Sequence, residues 1–228
     1  MPTVIIVAAG KGKRTGRNIP KAFLKIKGKP LLFYSIEKFK NFSRVIAVLP
    51  RGYVKEWRKK LKVLYPEIFI EVVCGGEERQ DSVWNALQKI EDDNEIVLIH
   101  DVARPFVSEK LIMEIVEKTE KYGACIPVMR IPDTIKKIIG EKVEKTLNRD
   151  EIFAVQTPQG FRASIIKRAY RRAKEKNYIG TDDSFLVEKT GIDVWCIEGE
   201  RLNFKITYPE DITLSETIVE YLKEKKQK

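Results

Sequence analysis

The sequence predicts an α/β protein: an open, mostly parallel sheet covered by helices on both faces, with one extended β-hairpin arm. Three observations lead there. Short apolar runs alternate with segments of helical period. The runs are continuously apolar, as in strands buried on both faces of a parallel sheet. The alternation then breaks after Val128, where two alternating stretches flank Gly140.

The expected strands are TVIIVA (3–8), RVIAVL (44–49), IFIEVV (68–73) and EIVLIH (95–100), all rich in β-branched residues. Helical spacing joins Leu31, Leu32, Ser35, Ile36 and Phe39, then Val54, Trp57, Leu61 and Leu64. Two more helices are marked by Val83, Leu87 and Ile90, and by Leu111, Ile112, Ile115 and Val116. Such a βαβα series makes the architecture Rossmann-like. The segment at about 130–154 reads as a β-hairpin arm. It is rich in Lys and Glu and has little core of its own, so a second copy of the chain is its simplest partner surface. A helix (about 163–176), a short acidic segment, a strand (about 192–197) and a closing helix (about 209–224) complete one domain spanning 1–228.

Composition narrows the class. A chain of 228 residues buries roughly 70% of its unfolded surface, enough for a core without disulfides or a structural metal. No apolar run reaches about 18 residues, so no transmembrane helix is expected, and the N-terminus lacks the form of a signal peptide. Cys74, Cys125 and Cys196 have no paired spacing and read as small core or near-core residues of a cytoplasmic protein. The net charge of +10 is spread along the chain and interleaved with Glu. It shows no basic face with stacking aromatics, which argues against a nucleic-acid binder.

The first loop carries the chemistry. Ala8, Ala9, Gly10 and Gly12 directly follow the first strand, where open α/β sheets bind ligands and where small residues expose backbone N–H groups to phosphate oxygens. Arg14 and Lys21 add positive charge in the same connection, and Pro20 fixes the backbone before the lysine. A Walker A loop is excluded because no Gly-Lys-Ser/Thr is present. A dinucleotide fingerprint is excluded because the third glycine, Gly16, falls one place late and no acid ends the second strand. Asp101 lies at the end of a buried strand, a position suited to a phosphate-bound Mg²⁺ or to capping the turn at Pro105. His100 is the sole histidine, so no His-based triad or metal site fits within one subunit. Ser82 offers a hydroxyl either to a ligand or to the start of a helix near Val83.

These segments resemble a known family. AAGxGxR followed by PKxFL is similar to the sugar-nucleotide pyrophosphorylase superfamily. GGEERQDSV (75–83), HDVARP (100–105) and TPQ (157–159) extend the resemblance, in order and over nearly the whole chain, to the methylerythritol phosphate cytidylyltransferases of the non-mevalonate isoprenoid pathway. The resemblance implies a nucleotidyltransferase fold and attack of a polyol phosphate on the α-phosphorus of CTP. It gives Arg14 and Lys21 to transition-state stabilisation and Ala8, Ala9, Gly10, Gly12, Gly76, Glu77 and Ser82 to the nucleotide. Asp101 is assigned to Mg²⁺. Arg104, Asp133, Thr134, Arg149, Thr157, Thr181 and Lys205 are assigned to the second substrate. It also implies a homodimer joined through the arm. Ala22, Glu77 and Val102 depart from the usual Gln, Asp and Ala of the family. A ribitol 5-phosphate cytidylyltransferase and a nucleotide-binding protein without turnover are the alternatives.

Overall fold

The computed structural model describes residues 2–10, 12 and 19–227. The expected βαβα series is present. In chain order it comprises β1 (Thr3–Val7), β2 (Lys25–Ile26), β3 (Lys29–Pro30), α1 (Leu31–Lys38), β4 (Arg44–Leu49), α2 (Val54–Leu64), β5 (Ile70–Cys74), α3 (Arg79–Leu87), β6 (Ile96–Asp101) and α4 (Glu109–Tyr122). Then follow β7 (Ala124–Arg130), the arm strands β8 (Lys136–Ile139) and β9 (Lys142–Thr146), β10 (Phe153–Val155), β11 (Gln159–Arg162), α5 (Ala163–Glu175), α6 (Asp183–Glu188), β12 (Trp195–Glu198) and α7 (Pro209–Gln227).

β1 lies between β4 and β6 and pairs in parallel with both, while β5 extends the sheet beyond β4. The chain therefore runs outward from β1 through β4 to β5 and then returns to the other side of β1. The resulting divergence of the loops after β1 and β6 is a topological switch point, which opens a crevice at the carboxyl ends of the strands. Beyond β6 the sheet continues through antiparallel β11 to β7, with β12 parallel to β7 at the far edge. β10 also pairs antiparallel to β7. Between β10 and β11, residues 156–158 leave the ladder and include the cis Thr157–Pro158 bond.

Successive strand residues serve opposite layers, because the side-chain period of a strand is two. Val4 and Ile6 join the core under α1, α2, α4 and α7. Ile5, with Val97 and Ile99, joins the core under α3, α5 and α6. This two-sided burial is why the runs read as uniformly apolar. The arm does form a separate antiparallel pair, β8 with β9, whose Ile138, Ile139 and Val143 are exposed.

Several elements differ from the sequence reading. The short acidic segment contains α6, capped by Asp182, whose side chain accepts from Phe185 N at 2.9 Å. The third helix starts at Arg79, not near Val83, since Glu78 and Asp81 form its capping box. β7 and β11 were not expected. In ACIPVMR the proline interrupts a strand-like pattern, and β11 has only four residues, including Gly160.

Gly160 fits where no side chain could. A Cβ there would lie 2.2 Å from Thr119 Oγ1 and 2.8 Å from Ile115 Cγ2, both on α4. β11 thus depends on this close approach for its place beneath α4. Gly160→Ala is expected to destabilise the protein by about 1–3 kcal/mol through overpacking, read as a lower urea midpoint with an unchanged slope.

Candidate active site

The crevice predicted by the strand order is present as a cleft of about 470 Å³. Four connections build its walls. Ala9, Gly10 and Gly12 come from the loop after β1, and Lys21 from the turn that closes that loop. Gly76, Glu77, Glu78, Arg79 and Ser82 come from the β5–α3 junction. Asp101, Val102 and Ala103 end β6, and Lys205 comes from the segment before α7.

Each loop is held by backbone bonds. Lys21 N donates to the Gly10 carbonyl at 3.2 Å, and Val102 N to the Val7 carbonyl at 3.2 Å. Gly75 N donates to the Leu49 carbonyl at 2.8 Å. A Cβ on Gly75 would sit 2.3 Å from Ala9 Cβ, so this glycine lets the loops after β1 and β5 touch. Ser82 lies in the first turn of α3 and is not its cap. Its hydroxyl accepts from Gly76 N and donates to the Glu78 carbonyl, both at 3.1 Å, which fixes the glycine turn and leaves one acceptor lone pair.

Charge is concentrated on Asp101. Its Oδ1 accepts from Arg79 Nε at 3.2 Å and its Oδ2 from Lys205 Nζ at 2.6 Å. Burial alone would push its pKa up, but Arg79 and Lys205 outweigh that effect and hold it well below the usual carboxylate range. Asp101 is therefore an anion at any physiological pH. Lys21 Nζ donates to the Ile206 carbonyl at 2.7 Å, and Ile206 N donates to the Ala103 carbonyl at 2.8 Å. Both cleft lysines are thus referenced to residues 205–206.

A buried network lies beneath this floor. The Thr157 hydroxyl accepts from Asp101 N at 3.1 Å and lies 3.2 Å from His100 Nδ1, while His100 Nε2 lies 3.1 Å from the Arg104 carbonyl. The carbonyl can only accept, which assigns the proton to Nε2 and makes Nδ1 the acceptor of the Thr157 hydroxyl. Burial lowers the His100 pKa to about 4, so the ring is neutral.

The structure separates the residues expected from the sequence into groups. Ala9, Gly10, Gly12, Lys21, Gly76, Glu77, Ser82, Asp101 and Lys205 share the cleft. Arg14 lies outside the described residues. Ala8 is buried and spends its N–H on the Val48 carbonyl at 3.0 Å, so it anchors the loop and presents no donor to phosphate. The Thr157 hydroxyl is committed to Asp101 and His100. Arg104 is committed to the Asn203 and Val155 carbonyls, at 2.8 and 3.1 Å. Asp133, Thr134 and Arg149 are exposed at the base of the arm, where Arg149 donates to the Pro132 carbonyl at 3.0 Å. Thr181 is exposed in the turn before α6. Within this one chain these four do not line the cleft.

Sequence reasoning gave Arg79 and Asp183 no role. Arg79 forks onto Asp183 at 3.0 and 2.7 Å while also holding Asp101. A signal existed: Asp183 precedes Leu186 and Val187 by three and four positions, which places an acid on the buried face of α6.

The neutral burial of His100 has a pH consequence. Between the unfolded value near 6.5 and the folded value of about 4, only the unfolded chain binds this proton, so stability rises with pH across that window. The term amounts to about 3 kcal/mol at most. The melting temperature is expected to fall as pH drops from 7 to 4.5, and His100→Gln should remove much of that slope. A slope unchanged in the variant would exclude His100 as its source.

Comparison with known proteins identifies the family. The family model described as IspD, 2-C-methyl-D-erythritol 4-phosphate cytidylyltransferase, matches residues 3–221. The chain is 43% identical to the 2-C-methyl-D-erythritol 4-phosphate cytidylyltransferase of Bacillus cereus over 225 residues, covering 96% of this chain and 98% of that one. It is 42% identical over 221 residues to the protein of the same name from Dictyoglomus thermophilum, covering 94% and 95%. The crystal structure of the Thermus thermophilus enzyme of that name superposes with a TM-score of 0.81 at 35% identity, covering 96% of this chain and 98% of that chain. The 4-diphosphocytidyl-2C-methyl-D-erythritol synthase from Anaerococcus prevotii superposes with a TM-score of 0.85 at 29% identity, covering 96% of each chain. With a family model matched from residue 3 to 221 and relatives 42–43% identical over almost its full length, the chain belongs to the 2-C-methyl-D-erythritol 4-phosphate cytidylyltransferase family.

Proposed function

We propose that this cleft transfers the cytidylyl group of CTP to 2-C-methyl-D-erythritol 4-phosphate, forming 4-diphosphocytidyl-2-C-methyl-D-erythritol and pyrophosphate in isoprenoid precursor synthesis. The observation that carries the reading is the convergence of Gly10, Gly12, Lys21, Gly76, Ser82, Asp101 and Lys205 on one cleft at the switch point. The glycine loop and Lys21 suit a triphosphate, with backbone N–H groups and a fixed cation directed at anionic oxygens. The β5–α3 turn suits the cytosine edge. The remaining lone pair of Ser82 can accept from the base's amino group.

In the transfer, a phosphate oxygen of the acceptor attacks the α-phosphorus, and a new P–O bond forms opposite the pyrophosphate leaving group. The bond to the bridging oxygen breaks, and the electron pair leaves with pyrophosphate. No covalent link to the protein is needed, so alignment and charge stabilisation supply the rate. Lys21 and Arg14 would stabilise the charge that accumulates on the equatorial oxygens. Lys205 would hold the acceptor's phosphate.

Mg²⁺ is part of the proposal. Among the described residues no group of three or more His, Cys, Asp or Glu could cage a metal. Asp101 nevertheless fits this ion, which is commonly held by one or two carboxylates together with substrate phosphates and water. When bound, the ion would neutralise triphosphate charge.

The arm is proposed to join two copies of the chain. Its exposed Ile138, Ile139 and Val143 provide an apolar surface, and pairing would give Asp133, Thr134 and Arg149 a partner's cleft to serve. A cytoplasmic location suits three free cysteines and a CTP substrate. Among the described residues no helix is long and apolar enough to cross a membrane.

Pyrophosphate release from CTP and Mg²⁺ tests the reaction, with methylerythritol phosphate and ribitol 5-phosphate assayed in parallel. Turnover is expected with methylerythritol phosphate and should drop by about 10²–10³ in Lys21→Ala. Turnover with ribitol 5-phosphate alone would reassign the acceptor. For the arm, the double substitution Ile139→Asp and Val143→Asp should shift sedimentation from dimer to monomer and lower kcat/KM for the acceptor. A monomer with full activity would rule out the shared-site arrangement.

A further inference from the structure

The contacts of Arg79 point beyond the cleft. Arg79 opens α3, and its guanidinium offers five N–H donors in one rigid plane. Nη1 and Nη2 meet the two oxygens of Asp183 at 3.0 and 2.7 Å, and Nε meets Asp101 Oδ1 at 3.2 Å. Because the fork fixes the plane, the direction of Nε is determined by where Asp183 lies. Asp183 is fully buried, does not line the cleft, and also accepts a hydrogen bond from the Tyr170 hydroxyl of α5. Asp101 in turn holds Lys205 Nζ at 2.6 Å. A continuous chain of contacts therefore runs from Tyr170 in the second core, through Asp183, Arg79 and Asp101, to Lys205 in the cleft.

We propose that Asp183, supported by Tyr170, is a positioning residue for the transfer, orienting Arg79 and through it the Asp101 carboxylate and the Lys205 ammonium. The inference rests on the functional reading above, in which Lys205 meets the acceptor's phosphate. Two features favour it over a simple staple between α3 and α6. First, the turn before α6 already has its own tether. Gln80 Nε2 donates to the Tyr178 carbonyl at 3.2 Å, and Gly180 N donates to Gln80 Oε1 at 2.9 Å. Second, charge alternates along the chain of contacts. Asp183 and Asp101 each face Arg79, and removing the first anion releases the fork that fixes the guanidinium plane. Nε would then no longer be aimed at Asp101, which would lose one of its two directed cationic contacts. Lys205 would keep a charge partner but lose the reference that fixes it.

The test is a kinetic cycle. Asp183→Asn keeps the shape of the side chain and removes its charge. It is expected to lower kcat/KM for methylerythritol phosphate by about 10–100-fold, as for other groups that orient a contacting residue, while the CTP Kd from calorimetry stays within about twofold. In the double variant with Lys205→Ala, the loss should match that of Lys205→Ala alone, because both substitutions break the same chain of contacts. Tyr170→Phe should give a smaller loss of the same kind, and it carries the cycle if Asp183→Asn does not fold. Losses that multiply in the double variant, or CTP affinity falling in step with acceptor turnover, would mean that Asp183 acts only on stability and would overturn the inference. Unaltered kinetics in both single variants would do the same. If the parent protein fails to use methylerythritol phosphate, the functional reading falls, and this inference with it. An active parent with multiplying losses removes this inference alone.

Discussion

A carboxylate almost closed off from water, Asp101, is the constraint around which the site is arranged. Removing a charge from water costs several kcal/mol unless opposite charges and hydrogen bonds replace the solvent. Here the replacements come from four places in the sequence. Arg79 reaches it from the start of α3 and Lys205 from the segment before α7. Thr157 takes its backbone N–H from the stretch between β10 and β11, and Arg104 adds positive charge from the following turn. Asp101 therefore gathers a site as well as belonging to one. Segments more than a hundred residues apart are brought into register because each meets a group of this one residue, its carboxylate or its backbone N–H.

The sheet makes that gathering possible. β1 and β6 are neighbours, and their following loops diverge, so Asp101 and the glycine loop emerge side by side facing open space. β11 between β6 and β7 carries Gln159, whose amide holds Asp182 at 2.7 Å and accepts from Ser184 N at 3.1 Å. The same strand that widens the sheet thus seats α6, and with it Asp183. Fold and site share residues at this point, and the close contact of Gly160 with α4 belongs to both.

Much of this was legible in the sequence, and the reasons are physical. Strands buried on both faces are mostly apolar, so β1, β4 and β6 stood out as apolar runs, and the edge strand β5 kept enough of that character around Glu71 to be read with them. The glycine loop was legible because small residues directly after a parallel strand leave the backbone open at a cleft, and Asp101 because it abruptly ends an apolar strand. β7 and β11 were not legible. Pro127 and Gly160 look like breakers in a local reading, whereas here Pro127 lies in a strand paired on both sides and Gly160 answers a neighbour far away in sequence. The same holds for Thr157 and Arg104. Their residue types suit a polyol phosphate, but their hydrogen bonds are used by backbone groups and, for Thr157, the His100 ring, whose positions only the folded chain defines. Arg79 was visible within a motif, yet its partner Asp183 lies 104 residues later, and no local pattern links them.

Residues 205–206 deserve a different kind of reading. The side chain of Lys205 is tied to Asp101, and the carbonyl of the next residue is tied to Lys21. Two cations of the cleft, from segments far apart in sequence, therefore share one short piece of backbone as their reference point. Any substitution that shifts this piece moves both together. Under the proposed assignment of Lys21 to the triphosphate and Lys205 to the acceptor, a change at residues 205–206 would alter the contacts of both substrates at once.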